Sequence, residues 1–174
     1  MGTYETVMLV GDSMIEYCDW QQEFTDRKMI NLGRSGETVA ELLHRLPYIV
    51  RRSPAPDLIL VMIGTNNVAM EDFSFGPTYQ EILQLFGKAY PAAVLVVNSL
   101  LPMALPYLAP DTVPRINVSL REIAQGHNAR YLDVWREMTT PAGHPLPNVL
   151  ADEVHLTGNG YRIWAAALKG LLGS

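Results

Sequence analysis

The stretch Asp57-Leu58-Ile59-Leu60-Val61-Met62-Ile63-Gly64-Thr65-Asn66-Asn67 decides the fold of this chain. From Leu58 to Ile63 every side chain is apolar, and the run then stops at a glycine, a threonine and two amides. Alternating apolar and polar residues would mark a strand wet on one face. An unbroken run marks a strand covered on both faces, as in a parallel sheet. Working outward, further strand candidates occupy residues 6–10, 28–32, 93–100 and 130–134.

Helical periods lie between these runs. Val39, Leu42, Leu43, Leu46 and Val50 fall on one helical face, and Pro47 is expected to kink or end that helix. Tyr79, Ile82, Leu83, Phe86 and Tyr90 repeat the spacing, and Val113, Ile116, Leu120, Ile123 and Ala124 follow it more loosely. Trp164, Ala167, Leu168, Leu171 and Leu172 line a last helix, with Thr157 placed as its N-cap. Strands alternating with helices in this order predict an α/β chain: a doubly wound sheet of about five parallel strands, helices on both faces. Ligands of such sheets sit beyond the carboxyl ends of the strands, so functional residues should follow strands. Two proline-rich connections, residues 101–111 and 139–148, are long enough to help shape a pocket.

Composition sets the outer bounds. The 174 residues suit a single domain spanning 1–174, and 48% hydrophobic against 18% charged residues excludes a disordered chain. A net charge of −5 without a basic run beyond Arg51-Arg52 gives no sign of a nucleic-acid partner. Cys18 stands alone, so neither an internal disulfide nor a cysteine zinc cluster is expected. No segment approaches the roughly 18 apolar residues of a membrane span. Met1–Glu5 shows neither the basic nor the apolar part of a signal peptide, so a cytoplasmic location is expected.

Chemistry gathers where the strands end. After the first comes Gly11-Asp12-Ser13-Met14, a serine on a strand-to-helix turn beside helix N-terminal amides. Taken singly it is no more than a helix cap. After the second comes Asn31-Leu32-Gly33-Arg34-Ser35-Gly36, where glycine either makes a turn or lets a bare amide approach a ligand. After the third, Gly64-Thr65-Asn66-Asn67 supplies neutral donors of the type an oxyanion hole needs. Before the last helix, Asp152-Glu153-Val154-His155 spaces a carboxylate three residues from an imidazole, one helical turn apart. The carboxylate would hold one ring nitrogen and leave the other as a base for a weakly nucleophilic serine. His44, His127 and His144 have no carboxylate at that spacing and read as structural.

These four blocks, in this order and across nearly the whole chain, resemble the SGNH (GDSL-type) hydrolases. The resemblance implies a three-layer α/β/α, flavodoxin-like fold and hydrolysis of esters or thioesters through an acyl-enzyme. It implies Ser13 as nucleophile, His155 as general base and Asp152 as its orienting partner. It further implies an oxyanion hole formed by the amides of Ser13 and Gly33 and the side chain of Asn66. Asn67 and Leu156 stand where many members have aspartate and proline. With the sequence around Ser13 and His155, they make the chain look like the catalytic subunits of intracellular platelet-activating-factor acetylhydrolase, which favours short acyl groups such as acetyl.

No cofactor and no metal are expected. The expected partners are a small acyl ester and, at most, a second copy of the chain in a homodimer, with no stable membrane insertion. Two rival enzyme readings share the chemistry. One is a carbohydrate O-acetyl esterase, with Trp20, Tyr107 or Trp135 as sugar platforms; the other is a thioesterase or lysophospholipase. Leu101, Met103 and Leu105 are candidates for the acyl or alcohol site, with loop packing as the plainer alternative. The non-enzyme reading is a degenerate flavodoxin-like binding module. Against nucleotide binding, Asp12 and Glu16 place two acids where a phosphate loop would sit.

Overall fold

The computed structural model describes residues 4–173. The reading of Met1–Glu5 therefore falls largely outside the described residues. The chain forms β1 (Thr6–Gly11), α1 (Ser13–Glu16), α2 (Trp20–Glu23), β2 (Lys28–Gly33), α3 (Val39–Arg52), β3 (Leu58–Met62) and α4 (Thr65–Ala69). It continues with α5 (Gly76–Ala89), β4 (Val94–Asn98), α6 (Thr112–Gly126), β5 (Arg130–Leu132), α7 (Val134–Glu137) and α8 (Gly158–Leu172).

The five strands are all parallel, in the order β2-β1-β3-β4-β5. Every residue of β3 is buried, as its unbroken apolar run requires. The chain winds outward from β1 to β2, then returns past β1 to β3. Right-handed crossovers place helices from the two directions on opposite faces. Accordingly α3, α5 and α6 pack side by side on one face. On the other, Trp20 of α2 meets Trp164 of α8 edge to face, with ring centroids 5.1 Å apart and both indoles buried. Trp20 thus belongs to the core and is no sugar platform. Among the described residues, no helix is long and apolar enough to cross a membrane.

Three local expectations change. Helix α3 runs through Pro47 to Arg52. Pro47 sits on the exposed face, where water can reach the Leu43 carbonyl left without its helical partner. The fifth strand stops at Leu132, because the Asp133 carboxylate accepts the Arg136 amide and starts α7 at Val134. Residues 152–155 form no helical turn but a bend closed by Asp152 itself.

The switch in winding direction lies between β1 and β3. Their first connections leave in opposite directions there and open a crevice at the carboxyl edge of the sheet. Gly11 pairs with Gly33 on one side and Met62 on the other, so β1, β2 and β3 end in register at that crevice. Gly11 is obligatory there, since a Cβ would lie 1.9 Å from the Met62 carbonyl oxygen.

Candidate active site

Ser13 opens α1 directly beyond β1. Its amide belongs to the first helical turn and is not required by the helix ladder. Asp12, fully buried, caps the turn by accepting the Met14 amide at 3.0 Å. Burial pushes the Asp12 carboxyl up to about 6, although the Met14 amide and the neighbouring Thr65 groups favour its charge. Ser13 itself is buried except for a small opening.

Across the crevice, the segment before α8 presents His155. Leu150 and Leu156 form an antiparallel bridge, and the Ala151 amide donates to the His155 carbonyl at 2.8 Å, closing a tight loop. Within it, Asp152 Oδ1 accepts the amides of Val154 (2.7 Å) and His155 (2.6 Å). Its Oδ2 faces His155 Nδ1 at 2.8 Å. Those two amides, then the imidazole, hold the Asp152 carboxyl down at about 2, so it is ionised throughout the neutral range. His155 Nε2 in turn lies 3.3 Å from Ser13 Oγ. Carboxylate, imidazole and hydroxyl therefore form one continuous chain, with Nδ1 occupied and Nε2 aimed at the hydroxyl. Tyr17, more than half exposed, stands beside the imidazole with ring centroids 5.5 Å apart.

Asn66 lies in the first turn of α4 after β3, and its Nδ2 donates to the Glu37 carbonyl at 2.9 Å. This fixes which end of the carboxamide is nitrogen and leaves its second N–H uncommitted by that bond. Asn67 is buried and bridges two elements: Oδ1 accepts the Val39 amide at the start of α3, and Nδ2 donates to Asp72. An aspartate at 67 could accept the first bond but not donate the second, which explains the amide found there.

Gly33 has a different role from the one expected. Its amide donates to Asn31 Oδ1 at 3.0 Å and is not free to receive a developing negative charge. A Cβ at Gly33 would lie 2.2 Å from the Glu16 amide nitrogen, so the glycine lets α1 pack directly onto the end of β2. Three residues on, Gly36 adopts φ +75° with nothing near its Cβ position. It lies beside the Glu37 carbonyl that holds Asn66, in a shallow cavity of about 150 Å³ lined also by Arg34, Ser35 and Glu41. The Ser-Gly pair at 35–36 was the available sequence signal for this left-handed turn.

Beneath the same loop, Glu37 pairs with Arg45 through Nε (2.5 Å) and Nη2 (2.6 Å), and Nη2 also donates to the Leu32 carbonyl (2.9 Å). No sequence pattern announces this pair, because Glu37 precedes the helix that carries Arg45.

The long connections contribute unevenly. Leu101 is buried in the core. Met103 and Leu105, with Leu108 and Trp135, line a small cavity of about 60 Å³. The Ala104 amide donates to the Glu153 carbonyl at 2.7 Å and steadies the loop bearing His155. Tyr107 is exposed and donates its hydroxyl to the Ala69 carbonyl at 2.7 Å. His44 is exposed, His127 binds the Ile123 carbonyl, and His144 lies in an exposed turn, all away from this constellation.

Residues 9–163 match the model of the GDSL-like Lipase/Acylhydrolase family. Over 164 residues the chain is 30% identical to platelet-activating factor acetylhydrolase IB subunit alpha2 of Rattus norvegicus, covering 89% of this chain and 70% of that protein. A GDSL-like lipase from Bacteroides thetaiotaomicron superposes with a TM-score of 0.81 at 24% identity, over 97% of this chain and 88% of the other. An acetyl xylan esterase from Geobacillus stearothermophilus superposes with a TM-score of 0.75 at 20% identity, over 99% and 96%. At these identities the two structures speak for a shared fold.

Proposed function

The chain belongs to the GDSL-like lipase/acylhydrolase family and is a carboxylic ester hydrolase; from that premise we propose that it cleaves short acyl esters, acetyl esters foremost, through an acyl-enzyme on Ser13. The observation that carries this reading is the unbroken hydrogen-bond chain from Ser13 Oγ through His155 to Asp152. The acetyl preference is supported by the acetylhydrolase relative.

His155 Nε2 takes the Ser13 proton as Oγ attacks the acyl carbonyl carbon. Asp152 keeps the Nδ1 proton in place and stabilises the imidazolium that forms. Negative charge on the carbonyl oxygen meets the Ser13 amide and the second N–H of Asn66. The third donor, expected at Gly33, is assigned instead to Gly36, because Gly33 is committed to Asn31. Preorganised donors of this type are each worth about 10²–10³ in turnover. The imidazolium then protonates the leaving oxygen as the ester C–O bond breaks. Water, deprotonated by His155, attacks the acyl-enzyme, releasing the carboxylic acid and restoring Ser13.

The test is covalent. A fluorophosphonate probe should label Ser13, as located by mass spectrometry, and Ser13→Ala should abolish both labelling and p-nitrophenyl acetate hydrolysis. Rates for acetylated sugars, acetyl-phospholipids and p-nitrophenyl esters of rising chain length would rank leaving groups and acyl lengths. Adduct formation elsewhere, or undiminished hydrolysis by Ser13→Ala, would overturn the assignment.

A further inference from the structure

The Glu37–Arg45 ion pair lies outside the Ser13–His155–Asp152 chain and outside the family motif blocks, yet it underpins two of the strand ends that meet at the site. Glu37 is 3% exposed, and its carboxylate is gripped by two guanidinium nitrogens of Arg45. Arg45 also holds the Leu32 carbonyl, one residue before Gly33. The backbone of Glu37 therefore has little freedom, and its carbonyl is the group that accepts from Asn66 Nδ2. From the opposite side the loop is tied to α1: Glu16 accepts both the amide and the hydroxyl of Ser35. The segment from Arg34 to Thr38 is thus clamped between the nucleophile helix and α3, with Gly36 at its centre.

We infer that Glu37 and Arg45 are positioning residues, which set the Asn66 carboxamide at the angle needed to receive the oxyanion; this rests on the acyl-enzyme reading. The physical reason is the planar guanidinium. A bidentate fork onto a carboxylate fixes direction as well as distance, which a lysine ammonium does not. A hydrogen-bond donor accelerates the reaction only if it already points at the developing charge, and the substrate makes no demand on that angle. Loosening the pair should therefore lower kcat and leave KM nearly unchanged.

Arg45→Lys and Glu37→Gln test this, each alone and combined with Asn66→Ala, with p-nitrophenyl acetate as substrate and thermal unfolding as a folding control. With Asn66 present, each should lower kcat about 10- to 100-fold, a fraction of what loss of a whole donor costs, with KM changed by less than about twofold. Without Asn66, the same substitutions should cost less than about threefold, because the group they position is gone. Equal losses in both backgrounds, or a rise in KM that accounts for the effect, would assign the pair a general structural role and overturn the inference. Should Arg45→Lys not fold, the nearly isosteric Glu37→Gln carries the same comparison. A dead Ser13→Ala beside unaffected Arg45 and Glu37 variants overturns this inference alone. An active Ser13→Ala overturns the acyl-enzyme reading and this inference with it.

Discussion

Replacing Asp12 by asparagine should stabilise the protein at neutral pH, and the gain should vanish in acid. Asp12 is fully buried, its Oδ1 accepts the Met14 amide, and its Oδ2 and the neighbouring Thr65 hydroxyl face each other without completing a hydrogen bond. Burial raises its carboxyl from the ordinary 3.8 to about 6. The native state thus holds this proton more tightly than the unfolded chain does. Its stabilising contribution is complete below pH 3.8, declines as pH climbs through about 6, and is absent at pH 7. At about 1.4 kcal/mol per pH unit, that interval corresponds to about 3 kcal/mol of destabilisation in the neutral protein. Asparagine is neutral throughout. Its Oδ1 can keep the Met14 bond, and its Nδ2 can donate towards the unpartnered Thr65 hydroxyl. Allowing for relaxation around the new amide, the expected gain is about 1–3 kcal/mol at pH 7, or several degrees in Tm. Urea unfolding of both proteins from pH 3 to pH 8 should show curves that converge at the acid end, draw apart above about pH 4 and run parallel above about pH 6. A constant gap across that range, or a less stable Asp12→Asn at pH 7, would refute the argument that an ionised buried carboxylate causes the cost.

Asp152→Asn should retain the two backbone bonds through Oδ1 but turn an N–H towards His155 Nδ1, forcing the ring proton onto Nε2, where it cannot act as a base. Loss of a buried triad aspartate in this way costs about 10⁴ in turnover; with Asp152 exposed to water that can accept from Nδ1 in its place, about 10²–10³ is expected in steady-state ester hydrolysis. A wild-type rate would mean that another group orients the imidazole. Gly33→Ala drives a methyl into the Glu16 backbone at 2.2 Å, so a loss of about 3 kcal/mol or more should appear in thermal unfolding, and an unchanged Tm would show that α1 does not rest on this glycine.

Much of the architecture was legible because burial on both faces leaves a plain mark. The stretches Val7–Val10, Leu58–Ile63 and Val94–Val97 of β1, β3 and β4 are apolar throughout, and the runs at α5 and α8 carry a helical period. Pro47 misled because propensity counts the lost backbone bond but not the solvent that can replace it on an exposed helix face. The short helices α2, α4 and α7 escaped notice because one turn of four or five residues has no period to detect. At the candidate site, residue type and spacing single out Ser13, Asp152 and His155, which the structure joins in one hydrogen-bonded chain. The three-residue spacing of Asp152 and His155 suggests a helical turn, whereas the bend is held by the Asp152 carboxylate accepting the amides of Val154 and His155.

By itself the sequence marked the strands and the candidate side chains at their ends, because strand periodicity and the Asp152–His155 spacing are local in the chain; the meeting of Ser13 with His155, 142 residues away, was decided by the tertiary structure. Only the tertiary structure decided which backbone amides remain available. Gly33 and Gly36 sit in the same motif, yet the Gly33 amide is taken by Asn31, whereas Gly36 adjoins Glu37, whose carbonyl holds Asn66. The Glu37–Arg45 pair was equally out of reach. Hydrogen bonds between segments depend on close approach in space, and a backbone donor carries no mark in the one-dimensional chain of whether an acceptor has already claimed it.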